Sequence, residues 1–164
     1  MAADTVRDPE ICNCLALRQA SRHVTQFYDY YLAPAGLRTT QYSILAKLRA
    51  LGPLTINALA RELVMDRTTL GRNILPLARE GLIATVRGSA DRRSKELRLT
   101  EAGLARLRRA RKGWAQAQAQ FEAVFGGAQP GTAHHLARGC NERAPGRSRR
   151  EPRLTARARW ERVA

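Results

Sequence analysis

Apolar residues recur along this chain at helical spacing four times before the pattern changes to strand-like alternation. In residues 9–32, Ile11, Cys14 or Leu15, Leu17, Val24, Phe27, Tyr28 and Tyr31 mark one face, and Asp8-Pro9 suits a cap and first turn. Pro34 and Gly36 should stop that helix. Thr39 or Thr40 opens a second helix with Tyr42, Ile44, Leu45 and Leu48 inward, ended by Gly52-Pro53. Two short helices follow, LTINALARELVM with Thr55 as cap and DRTTLGRNILPLAREGL with Asp66 as cap. Leu70, Ile74 and Leu77 form the inner face of the fourth, and Gly81 stands where a left-handed residue ends a helix. Pro76 removes one backbone donor and should bend or loosen its last turn.

Residues 82–87 and 94–99 then alternate as strands do, with Val86, Leu97 and Leu99 as inward positions and a bend at Gly88-Ser89-Ala90-Asp91. Thr100-Glu101 begins a long helix whose inner face is Leu104, Leu107, Trp114, Phe121 and Val124 or Phe125. Its other face holds Arg106, Arg108, Arg109, Arg111 and Lys112. Helix, turn, helix and two-stranded hairpin in this order predict a winged helix-turn-helix. The expected fold is mainly α with a small β-hairpin wing, flanked by N- and C-terminal dimerisation helices.

Charge sharpens this picture. The chain of 164 residues carries 29 Lys and Arg against 14 acids, a net +15. Residues 1–129 hold 20 basic and 11 acidic side chains, and residues 130–164 hold 9 and 3. Such an excess suits a polyanionic partner. The last 35 residues have scattered apolar positions, three glycines and three prolines, the composition of a segment without a core of its own. The expected division is a folded unit over 9–126, with a DNA-binding core near 37–100 and dimerisation helices near 9–32 and 100–126. A basic low-order tail occupies 127–164.

The side chains suited to duplex DNA lie at the start of the fourth helix: Arg67, Thr68, Thr69, Arg72 and Asn73. Arg pairs with guanine, Asn with adenine, and Thr touches a thymine methyl or a phosphate. Arg92, Arg93 and Lys95 at the hairpin tip suit a narrow minor groove, with Asp91 orienting them. No Gly-rich phosphate loop, H-E-x-x-H or Ser-His-Asp set points to an enzyme, and no cofactor is expected. Cys12, Cys14 and Cys140 match no zinc spacing, and His134-His135 falls in the tail, so no metal site is expected. No run is long and apolar enough for a membrane span, and the acidic MAADTVRDPE start is no signal peptide. A cytoplasmic protein is the expectation.

Leu59-Ala60, the Asp66-Arg67-Thr68-Thr69-Leu70 cap, Leu77-x-x-Glu80-Gly81-Leu82-Ile83, the wing Asp91-x-Arg93-x-Lys95 and Leu99-Thr100-x-x-Gly103 together resemble the MarR family of bacterial transcription regulators. The resemblance spans about residues 9–126. It implies a winged-helix homodimer, paired through its first and last helices, that binds a pseudo-palindromic operator. It also implies repression, relieved by a small ligand or an oxidant. The chain departs from the family after Phe125, where an Arg-rich tail replaces an apolar helix. That departure predicts a weaker dimer, since less apolar area is buried.

Two effector routes follow. Cys14 and Tyr28 resemble the start of the organic-hydroperoxide-sensing branch of the family, OhrR, although Arg18 replaces a tyrosine expected there. The plainer reading makes Cys12 and Cys14 small packing residues. Alternatively His23, Arg38 and Tyr42 line a cleft for a small aromatic acid. A rival to the whole scheme is a non-specific basic nucleic-acid binder, whose affinity falls with salt on every sequence alike.

Overall fold

The computed structural model describes residues 12–88 and 93–125. Five helices and a small sheet run in the order α1 (Asn13–Leu32), a 3-10 turn (Ala33–Ala35), α2 (Thr39–Leu51), β1 (Leu54–Thr55), α3 (Ile56–Leu63), α4 (Arg67–Arg79), β2 (Ile83–Arg87), β3 (Lys95–Leu99) and α5 (Glu101–Phe125). Winged helix-turn-helix architecture is therefore present, with α3 and α4 as the two short helices and β2–β3 as the wing.

Helix ends follow local chemistry. Thr55 Oγ1 accepts the Ala58 amide at 3.2 Å, and Asp66 Oδ1 accepts the Thr69 amide at 2.8 Å. Each satisfies an amide that has no partner inside its own helix. Gly81 ends α4 at φ +71°, while Leu82 N donates to Leu77 O and Gly81 N to Ala78 O. The proposed start at Asp8-Pro9 lies outside the described residues.

The core is one cluster shared by α2, α3, α4 and the sheet with the end of α1 and the first half of α5. Leu45, Leu59, Leu70 and Leu77 are fully buried in it. Gly103 is required at the start of α5. A Cβ there would run into the Leu82 carbonyl and the Leu99 side chain. Gly113 plays the same part against the Tyr31 carbonyl, where α1 and α5 cross.

Several expectations are corrected. The wing belongs to a three-stranded sheet of order β1-β3-β2, in which Leu54 faces Leu97 and Thr55 faces Glu96. Two residues are too few to show alternation, so only the pairing with β3 reveals β1. Leu54-Thr55 and Val64-Met65 thus lie outside α3. Val64 adopts the left-handed conformation at φ +54° in the turn between α3 and α4, with Met65 N donating to Ala60 O at 2.9 Å. Leu82 and Ile83 are the deeply buried residues beside the hairpin, and Val86 is only half-buried. Pro76 does not loosen α4: the helix runs on to Arg79, and Glu80 N donates to Pro76 O at 3.0 Å.

The cationic face of α5 is also partly spent internally. Arg106 pairs with Glu80 at 3.1 Å, and Arg109 donates to the Ala35 carbonyl at 3.0 Å. Val124 and Phe125 are exposed rather than inward. Among the described residues no helix is long and apolar enough to cross a membrane.

Candidate nucleic-acid interface

The inner face of α4 decides what its outer face shows. Burial of Leu70, Ile74 and Leu77 fixes the helix rotation, and that leaves Arg67, Thr68, Thr69 and Arg72 exposed. Asp66 organises the first turn. The hydroxyl and the amide of Thr69 hold its carboxyl below the usual carboxylate range, so the cap is anionic at neutral pH. Asn73 departs from the expectation of a free adenine reader. Its side chain is half-buried, and Nδ2 donates to the Thr69 carbonyl at 2.9 Å. Its oxygen remains outside that bond. Gly71 was not singled out by sequence: a Cβ there would meet nothing within 4 Å, so the helix is flat and open between Thr68 and Arg72.

The hairpin delivers a second cationic group. Arg93 and Lys95 are exposed at the start of β3, and Gly88 N donates to Ser94 O at 2.9 Å to close the loop. Asp91 and Arg92 lie outside the described residues. The register adds a residue that sequence reasoning missed. Arg87 stands directly opposite Lys95 and both are exposed. Like charges facing each other across a ladder cost stability. Only the pairing register could have revealed this, since they are eight positions apart in the chain.

Several acidic groups are engaged by partners, while Asp66 stays exposed at the start of α4 and Glu96 stands half-buried in β3. Glu62 binds Lys47 at 3.4 Å, Glu80 binds Arg106, Asp66 caps α4, and Asp29 accepts from Thr39. Glu122 accepts from Gln118 at 2.7 Å. Against Arg67, Arg72, Arg87, Arg93 and Lys95 the described acids Asp66 and Glu96 compensate only in part, so the field of α4 and the wing stays positive.

The two effector sites are not assembled within one chain. Cys12 and Cys14 are exposed in the single chain, so neither packs into its own core. Tyr28 is 14 residues further along the same helix, ~21 Å at ~1.5 Å per residue. Its hydroxyl donates to Gln118 Oε1 at 2.7 Å, and burial, reinforced by Glu122, pushes its pKa up. The residues His23, Arg38 and Tyr42 also part company. His23 is exposed on α1, whereas Tyr42 is buried and stacks on Trp114 at 6.0 Å and 13°. Burial raises its pKa, opposed by the charges of Arg111 and Arg49. Arg38 alone of the three lines a surface recess, with Asp29, Ala33, Gly36, Leu37 and Gln41.

The family model of the MarR family matches residues 37–95, from the corner before α2 to the start of β3. HTH-type transcriptional regulator SarZ of Staphylococcus haemolyticus is 27% identical over 101 residues, 60% of this chain and 69% of its own. The M. tuberculosis transcriptional regulator MosR, in a crystal structure with DNA, is 33% identical with a TM-score of 0.71. That match covers 81% of this chain and 96% of MosR. PcaV of Streptomyces coelicolor, crystallised with its natural ligand, is 25% identical with a TM-score of 0.72, covering 88% and 99% of the two chains.

Proposed function

The chain belongs to the MarR family of DNA-binding transcriptional regulators, and from that premise we propose that it is an operator-specific repressor acting as a homodimer. One observation carries the reading. An exposed polar face on α4 stands next to a hairpin whose facing cations, Arg87 and Lys95, repel each other. A phosphate backbone relieves that repulsion, and α4 seated in the major groove reads bases. In this reading Arg67, Thr68, Thr69 and Arg72 face the groove, and Asn73 presents its free oxygen. Arg87, Arg92, Arg93 and Lys95 contact backbone or minor groove, and Asp91 orients the tip. Leu15, Leu17, Val124 and Phe125, exposed on α1 and α5, supply apolar surface for pairing with a second copy.

Release from DNA by a small ligand is part of the proposal, supported by the ligand-bound relative PcaV. A second route is favoured by the exposure of Cys12 and Cys14, because oxidation requires an accessible thiol. Peroxide should then release wild type from DNA and spare Cys14→Ser. Equal release of both would remove the thiol route.

The deciding experiment selects a duplex from a random pool with the full chain. It then compares that duplex with a scrambled one across a salt series. A specificity ratio of about 10³ or more is expected. A ratio near one, falling alike with salt on both duplexes, would make the protein a non-specific polyanion binder.

A further inference from the structure

Asp29 sits in the last part of α1, and Thr39 is the first residue of α2. Asp29 Oδ1 accepts two hydrogen bonds from Thr39, one from the amide at 2.6 Å and one from the hydroxyl at 2.6 Å. The carboxylate therefore reaches across the corner made by the 3-10 turn and left-handed Gly36. A carboxylate at the first turn of a helix takes up an unpaired amide and complements the helix dipole. Here it is supplied by a different helix. The start of α2 has a local partner already, since Gln41 Oε1 accepts from Arg38 N at 2.9 Å. The Thr39 amide itself is taken by Asp29, so this contact both begins α2 and joins it to α1.

The corner is pinned from its other side by α5. Arg109 holds the Ala35 carbonyl, and Arg106 lies 3.1 Å from where a Gly36 Cβ would stand while pairing with Glu80 beyond the end of α4. What α1 offers beyond the corner is exposed apolar surface; what α2 carries is the DNA-reading unit.

The geometry points to Asp29 as a positioning residue: by gripping Thr39 it fixes the angle between the pairing helix and the reader, and so sets the half-site separation that a dimer accepts. This rests on the operator-binding dimer proposed above. Two recognition helices must meet the major groove about 10–10.5 base pairs apart, or a multiple of that, on one side of the duplex. A rigid corner accepts one separation; a slack one accepts several.

The test uses the full chain and the duplex selected by wild type, with its centre lengthened or shortened by one and by two base pairs. Wild type is expected to prefer the selected separation by about tenfold or more, because a displaced half-site forfeits several base contacts. In Asp29→Ala that preference should shrink to less than about threefold. Asp29→Asn, which keeps an accepting oxygen, should retain the wild-type ranking. The preference is a ratio within one variant, so a general loss of stability does not change it.

A folded Asp29→Ala with the full wild-type preference overturns the proposal. If Asp29→Ala does not fold, Thr39→Ala decides, since it removes the hydroxyl, which reaches Asp29 Oδ1 and, at 3.3 Å, the Thr25 carbonyl of the same helix α1, and leaves the amide bond. A reduced preference then supports the grip, and an unchanged one overturns it. Equal wild-type binding to every separation and to scrambled DNA would instead sink the operator reading itself, and this inference with it.

Discussion

Leu59, Leu70 and Leu77 in the reading unit are fully buried, whereas Leu17 on α1 is 54% exposed and Phe125 on α5 is 69% exposed. The two regions spend their apolar residues in different ways. α3, α4 and the sheet bury their own leucines, so this unit's shape is settled within one chain. The outer ends of the long helices hold apolar groups that are exposed among the described residues, and the proposed second copy would cover them. Polar residues follow the reverse order: the reading unit exposes arginines and threonines, and the helix crossing uses Arg106, Arg109 and Asp29 to bind its own backbone and side chains. A surface that recognises DNA must be fixed before it binds, while a pairing surface is fixed by the pairing.

Substitutions break or sharpen this contrast in a definite order. The largest loss should come from Gly103→Val, where a side chain collides with the Leu82 backbone between α4 and β2. About 3 kcal/mol or more is expected in urea unfolding. Leu70→Ala should cost about 2–5 kcal/mol by cavity formation. If both were tolerated with less than about 1 kcal/mol, the reading unit would not be the rigid half of the molecule.

Arg72→Ala should leave unfolding unchanged and weaken binding by about 1–3 kcal/mol on the preferred base, relaxing specificity there. An equal loss on every sequence would make Arg72 a phosphate contact instead. Val64→Gly acts in the opposite direction. Val64 is mostly exposed and left-handed, so glycine removes about 1 kcal/mol of backbone strain at little packing cost. The melting temperature should rise; a fall would mean that the Val64 side chain supports the turn.

Acid should act on the cap of α4. Asp66 has its pKa lowered below 3.8 by folding, so its contribution is present above that value and is lost as pH falls through the lower folded value. Unfolding of wild type and Asp66→Asn should therefore converge in acid and separate toward neutral pH. The smallest effect on the single chain belongs to Leu17→Ser, within about 0.5 kcal/mol, because little packing is removed. The same substitution should raise the dimer dissociation constant in sedimentation. An unchanged constant would remove Leu17 from the pairing surface.

Much of this architecture is legible in the chain because its signals are local. Thr55, Asp66 and Gly81 mark helix ends through groups three or four residues away, and Leu70, Ile74 and Leu77 mark an inner face by spacing alone. Arg67, Thr68, Thr69 and Arg72 then follow as the outer face of the same helix. What no local signal carries is any choice between partners distant in sequence. Leu54-Thr55 is a strand only because β3 lies beside it, and Val64 is left-handed because Met65 must return to the Ala60 carbonyl. Tyr42 is taken out of the expected cleft by Trp114, while Arg87 meets Lys95 through strand register. Arg106 and Arg109 are engaged by Glu80 and the Ala35 carbonyl. Asp29 acquires its role only when α1 folds back beside α2. Caps and periodicity act over one turn of backbone and are written in neighbouring residues; register, crossing and cross-helix hydrogen bonds depend on which surfaces meet, and that is settled by packing the whole chain.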